Sequence, residues 1–425
     1  MNVQICGGRV VDPASGLDAK KDVYVAGSKI VSIGKPPPSG FQADRTIEAS
    51  GLVVCPGLVD IAVRLREPGL EHLATLDSEA AAAVAGGITS LACPPDTDPP
   101  LDEPGLVEML KYRARSLNLV QVYPVGALTQ ALRGSKLTEM SQLGEAGCVA
   151  FSQGDAALPD PQMLFRSLQY AATVGYPVWL RAQESTMALG GVAHDGEVAT
   201  RLGLPAIPTV AETVAVSTIL LLARETGARV HLCRLSSAQG VELVRQAKAD
   251  GLSVSCDMSI NHLHLTDADI GDFESNCNLV PPLRTRKDLD ALRGGLADGT
   301  IDVICSDHAP VDDDDKQLPF GEAAPGAIGL ELLLPLTLKW AKETSTALVK
   351  ALGHLTSAPA QLLGVPAGRL APQENADLCI FDPARNWRVE PSSLRSKGSN
   401  TPFAGHVLEG KVVYTMVHGQ IVHEE

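Results

Sequence analysis

Eight short apolar runs, each followed by a connection long enough for a helix, constrain this 425-residue chain more than any other feature. The runs cover residues 58–64, 89–93, 120–125, 148–151, 178–181, 230–235, 253–258 and 301–307. Between them, residues 104–115, 161–174, 210–225, 238–249 and 286–296 read as amphipathic helices. Adjacent parallel strands need a crossover of about a dozen residues or more, and such crossovers are right-handed. Eight strands joined in this way predict a closed (β/α)8 barrel of TIM type, with its site on the rim where the strands end.

The two ends of the chain read differently. Residues 3–11, 22–26, 29–33 and 46–48, then 376–381, 407–409, 412–417 and 420–422, are short strands between Gly, Pro and Asp turns. Together they predict one small β-sandwich built from both termini. The expected α/β organisation is therefore residues 1–55 for the first part of the sandwich, 56–365 for the barrel and 366–425 for the rest of the sandwich.

Charge and cysteine usage narrow the function. A net charge of -15 opposes binding to nucleic acid or to an anionic membrane surface. No apolar run approaches transmembrane length, and residues 1–11 show no basic segment leading into an apolar core. The nine cysteines are scattered, with no C-x-x-C pair, which predicts a reduced, cytoplasmic protein.

Specific motifs sit at the strand ends. Pro56-Gly57-Leu58-Val59-Asp60-Ile61-Ala62-Val63-Arg64-Leu65-Arg66-Glu67-Pro68-Gly69 resembles the dihydroorotase signature P-G-x-x-D-x-H-x-H-L-R-E-P-G. Ser306-Asp307-His308-Ala309-Pro310 resembles T-D-H-A-P-H, and Val230-His231-Leu232-Cys233-Arg234-Leu235-Ser236 resembles R-V-H-x-x-H-L-S. Pro281-Pro282-Leu283-Arg284 and Asn400-Thr401-Pro402-Phe403 add further matches, so the resemblance runs nearly end to end. It implies an amidohydrolase barrel with a composite β-domain.

Active members of that family hydrolyse or close a cyclic amide with a zinc-bound hydroxide, held by histidines on several strand ends. Here the two H-x-H positions are Ala62 and Arg64. Ala62 has no donor atom, and a guanidinium cannot ligate a cation. The resemblance maps the fifth-strand histidine onto Arg181, the sixth-strand histidine onto Arg234, and a bridging acid of F-S-D-D-G onto Gln153 or Gly154. Asp307 keeps the eighth-strand acid as a vestige, and Arg66 keeps a carboxylate-binding position. Asp98 stands where the family has an asparagine, and Val311 where a histidine follows D-H-A-P. The expectation is a barrel that has lost its zinc, takes no cofactor, and pairs Arg64, Arg181 and Arg234 with Asp307.

Plainer readings stand beside these. His308 reads as a hydrogen-bonded rim residue, His231 as a packing residue, His262 and His264 as core or loop histidines, and Cys233 and Cys305 as core fillers. Residues 312–315 read as a solvated, mobile acidic loop. The resemblance implies a non-catalytic subunit that associates with the aspartate carbamoyltransferase catalytic chain, and with itself, in pyrimidine synthesis. Two alternatives stay open: an atypical active metal-dependent cyclic amidohydrolase, and a small-anion sensor at Arg66 and its neighbours.

Overall fold

The computed structural model describes residues 1–425. The apolar runs form eight strands: β1 Leu58–Asp60, β2 Ile88–Cys93, β3 Gln121–Ala127, β4 Ala150–Ser152, β5 Val178–Arg181, β6 Val230–Cys233, β7 Val254–Ser259 and β8 Val303–Cys305. They lie in one parallel sheet in sequence order. The sheet closes beyond the regular ends of β1 and β8. Val63 and His308 form a parallel bridge, Arg64 N donates to the His308 carbonyl at 2.9 Å, and His308 N donates to the Ala62 carbonyl at 3.0 Å. The buried Asp60 carboxylate ties the same seam by accepting from Ser306 N at 3.1 Å. The first strand was expected over residues 58–64. It ends earlier because this carboxylate also engages the Ala62 amide, at 3.3 Å.

Alternation places Val59, Ile61, Ala92, Val125, Ala150, Trp179, Val303 and Cys305 in one cluster inside the barrel. The crossover helices cover the outside, and the larger core of 75 buried residues joins them to the strands. Pro161–Val174 shows why these segments are helical. Asp160 caps its start by accepting from Gln162 N, Pro161 occupies the first turn, and Gly175 ends it at φ 78°. Its buried Leu164, Leu168 and Ala171 recur at i, i+4 and i+7.

Both termini build the sandwich. One sheet has the strand order Lys29–Ile33, Val23–Ala26, Asn2–Cys6, Arg45–Glu48. The other runs Gln420–Glu424, Val407–Val417, Leu378–Arg388, Val53–Pro56, Arg9–Asp12, Leu17–Lys20. Val3, Ile5, Val25, Val54, Leu378 and Ile380 lie in the core they share. Residues 3–11, expected as one strand, are two strands in different sheets. The break is at Gly7, whose φ of 71° ends the first strand, and Gly8, where a Cβ would come within 2.7 Å of Val54. Residues 312–315 also differ from expectation. They form the short helix Asp313–Lys316, capped by Asp312, rather than a loose loop. No helix is long and apolar enough to cross a membrane.

Candidate functional site

The strand ends deliver charge to the barrel mouth. Trp179 and Arg181 share the inner face of β5, with Arg181 as its last residue. Immediately after β6, Arg234 takes a left-handed φ of 55°. Its own amide donates to Asp257 Oδ1 at 2.9 Å and its Nη1 to the Val280 carbonyl at 3.1 Å, which offsets that backbone strain. Asp307 follows β8 with a φ of 51°, and Asp155 follows β4 after Gly154, at φ 60°.

These residues converge. Asp155 lies at the centre: its Oδ2 accepts from Arg64 Nη2 at 2.6 Å, its Oδ1 is 2.7 Å from Arg181 Nε, and Arg234 Nη2 donates to Oδ1. Arg181 Nη2 also reaches the Asp155 carbonyl, at 3.1 Å. Asp307 Oδ1 is 3.1 Å from Arg234 Nη1 and 3.6 Å from Arg64 Nη1. Arg64 Nε donates to Asp96 Oδ2 at 2.7 Å. Two of the three expected arginine pairings with Asp307 therefore exist. Arg181 departs from the expectation and pairs with Asp155 instead.

Burial decides how each group titrates. Burial acts to raise the Asp155 carboxyl, but Arg234, Arg64 and Arg181 outweigh it and hold the group far below the usual carboxylate range. Asp307 goes the other way: burial raises it, and Arg234 and Arg64 offset this only in part. The centre of negative charge in the mouth is thus Asp155, with Asp307 the weaker acid.

The cluster lines a cavity of about 440 Å³, together with Arg66, Gln183, Ile207, Val280 and Asp315. Arg66 is one of the four arginines there, and no carboxylate lies within ion-pairing distance of it. Its Nε donates to the Pro310 carbonyl at 3.0 Å. Burial, with repulsion from Arg64, brings its pKa down to about 10. The remaining mapped positions are not part of this ion cluster. Gln153 is buried behind the rim, accepting from Thr129 Oγ1 at 2.9 Å and donating to the Leu132 carbonyl at 2.8 Å. Asp98, expected to face a substrate carboxylate, is exposed and outside the cavity. Asp96, two residues earlier, is the acid that turns inward.

A zinc ion of the kind used by active amidohydrolases does not fit these side chains. Ala62 offers no lone pair, and the guanidiniums of Arg64, Arg181 and Arg234 are donors throughout, already directed at carboxylates.

Comparison with known proteins places the chain. A dihydro-orotase-like family profile matches residues 51–240, and an amidohydrolase family profile matches residues 187–422. A dihydroorotase-like protein of Pseudomonas aeruginosa is 46% identical, with 100% of both chains covered. The chain belongs to the dihydroorotase-like amidohydrolases. A dihydroorotase of Citrifermentans bemidjiense is 40% identical, also over 100% of both chains. Among solved structures, the L-hydantoinase of Arthrobacter aurescens superposes with a TM-score of 0.87 at 28% identity, covering 99% of this chain and 96% of the hydantoinase.

Within this dihydroorotase-like barrel, His308 is buried, not on an open rim. Its Nε2 is 2.7 Å from Glu79 Oε2, and its Nδ1 accepts from Gly329 N at 3.1 Å. His262 is buried, with Nε2 3.2 Å from the Pro282 carbonyl, and burial lowers it to about 4. His264 is lowered to about 3 by burial, beside the Leu336 carbonyl. Two members of the charge cluster, Asp155 and Asp96, were not singled out as cluster members from the sequence. The signal for Asp155 was present in Phe151-Ser152-Gln153-Gly154-Asp155, where an acid stands next to the expected position.

Proposed function

We propose that this chain is a non-catalytic dihydroorotase-like subunit that supports assembly or activity of aspartate carbamoyltransferase in pyrimidine synthesis. The observation that carries the first half is the guanidinium trio at the family's ligand positions, each member neutralised by an aspartate. Hydrolysis in this family requires a metal-activated water, and a set of ion-paired arginines supplies neither the metal nor a general base. The partner half rests on family resemblance, since a barrel kept intact without its chemistry is useful for its surface.

The experiment is sedimentation of the aspartate carbamoyltransferase catalytic chain from the same organism, with and without this chain. The expected result is a larger species and transcarbamoylase activity that appears or rises only in the mixture. Independent sedimentation with unchanged activity overturns the assembly role. Relatives named dihydroorotase bring the opposing reading. Turnover of dihydroorotate by the purified chain, lost in Asp307→Ala, would establish it.

A second reading has its own observation. Arg66 faces the 440 Å³ cavity with no carboxylate partner, so the mouth suits a small carboxylate such as carbamoyl aspartate. Sensor and scaffold are compatible roles for one chain.

A further inference from the structure

Below the guanidiniums, the barrel interior holds a second set of chemical groups. His231, Cys233 and Asp257 come from β6 and β7, and their donor atoms all lie within 4.8 Å of one another. His231 and Asp257 are buried, and Cys233 partly so. Alternation explains the grouping, because His231 and Cys233 share one face of β6 and Asp257 projects inward from β7 beside them.

We propose that these three side chains form a transition-metal site, distinct from the lost catalytic one, that takes zinc or cobalt in tetrahedral coordination. The donor set of one imidazole nitrogen, one thiolate and one carboxylate oxygen is what zinc prefers. His231 Nε2 and Asp257 Oδ2 are 2.7 Å apart, sharing a proton. Zinc bond lengths put tetrahedral donors on the order of 3.3–3.7 Å apart. The pair therefore opens by a fraction of an ångström as the ion replaces the shared proton.

The supporting contacts are already in place. His231 Nδ1 is 2.9 Å from Ser255 Oγ, which orients the ring. Asp257 Oδ1 accepts from Arg234 N at 2.9 Å and faces Cys305 Sγ at 3.3 Å, leaving Oδ2 for the ion. Space for a fourth ligand adjoins two of the three donors. Cys233, Asp257 and Trp179 line a cavity of about 30 Å³, enough for one water. The Trp179 side chain is 3% exposed, and its Nε1 is buried with no hydrogen-bond partner. A metal-bound water in that cavity gives this N–H its acceptor. Binding releases the Cys233 thiol proton to solvent, while the His231 ring proton shifts from Nε2 to Nδ1, facing Ser255 Oγ, so the imidazole stays neutral. One divalent ion with one thiolate and one carboxylate is neutral, which suits a site beneath three guanidiniums.

Arg64, Arg181 and Arg234 line both this cavity and the mouth above it. They stand between the ion and anything bound in the mouth, so the site is structural and independent of the function proposed above.

The test is to produce the chain in cobalt-supplemented medium, so that folding occurs with the metal present. The expected result is one equivalent of cobalt with a thiolate-to-cobalt absorption band, lost in Cys233→Ser and kept in Cys305→Ser. Zinc-edge X-ray absorption of the zinc-grown wild-type protein, which needs no variant, is expected to show one sulfur ligand. An all-nitrogen-and-oxygen shell, sub-stoichiometric metal, or a band that persists in Cys233→Ser overturns the proposal.

Discussion

Arg234 and Asp307 meet through a single contact, Nη1 to Oδ1 at 3.1 Å, while the other terminal nitrogen of Arg234 turns to Asp155. Asp307, the acid that the family resemblance maps to the end of the eighth strand, is thus the lesser partner in its own pocket. Asp155 takes contacts from three guanidiniums.

Removing Asp155 is therefore expected to cost more than removing Asp307. Breaking a fully buried ion pair costs about 3–5 kcal/mol. Asp155 leaves a third of its side chain open to the cavity, so Asp155→Asn is expected to cost about 2–3 kcal/mol once solvent screening is allowed for. Asp307→Asn is expected to change stability by less than about 1 kcal/mol, because Arg234 and Arg64 keep Asp155 and burial already disfavours the Asp307 charge. Urea unfolding of the two variants checks the order.

The pH dependence of these variants has a definite sign. The folded-state value of Asp155 is depressed, so its stabilisation is complete above the unfolded value of about 3.9 and is lost as pH falls toward the folded value. The stability gap between wild type and Asp155→Asn is expected to stay flat from about pH 8 to pH 5 and to close below about pH 4. A gap that closes between pH 7 and 5 would contradict the assignment.

Arg66 tests the mouth as an anion site. Arg66→Met removes the cation that lacks a carboxylate partner and leaves the Asp155 cluster intact. Calorimetric titration with carbamoyl aspartate is expected to show heat with wild type and at least about a tenfold weaker response in the variant, as for one charged hydrogen bond. Equal heats in both proteins would remove Arg66 from the site.

The seam between β1 and β8 offers a fourth check. His308 Nε2 and Glu79 Oε2 are both buried, 2.7 Å apart, and Glu79 also accepts from Ser396 Oγ at 2.7 Å and Lys397 N at 3.0 Å. Glu79→Ala leaves those donors without an acceptor and is expected to destabilise the chain by about 3 kcal/mol or more. Amide exchange at residues 306–308 is expected to accelerate with it.

The barrel was legible because its period is legible. The runs at residues 178–181 and 230–235 contain β5 and β6, and the helix expected over 161–174 is Pro161–Val174. Arg64, Arg181 and Arg234 were legible because flanking motifs fix their register. What escaped depends on backbone turns that no side-chain pattern announces. Gly154 at φ 60° sets the turn that brings Asp155 inward, while Gln153 points away into hydrogen bonds with Thr129 and Leu132. Asp307 and Arg234 hold left-handed conformations, which aspartate adopts only occasionally and arginine rarely, so tertiary contacts rather than sequence pattern set them.

The sandwich carries a consequence for how the chain is made. Strand Val53–Pro56 is flanked by Arg9–Asp12 on one side and by Leu378–Arg388 on the other. During synthesis the first fifty residues leave the ribosome long before the strands that complete their core. They can pair with one another, but the edge of Val53–Pro56 that takes Leu378–Arg388 must wait for more than three hundred residues of barrel to follow. The last-made strands, through Gln420–Glu424, finish the domain that the first-made strands began. A chain interrupted late in translation, with its barrel already encoded, leaves Val53–Pro56 as an open sheet edge, the kind of edge that pairs with other chains.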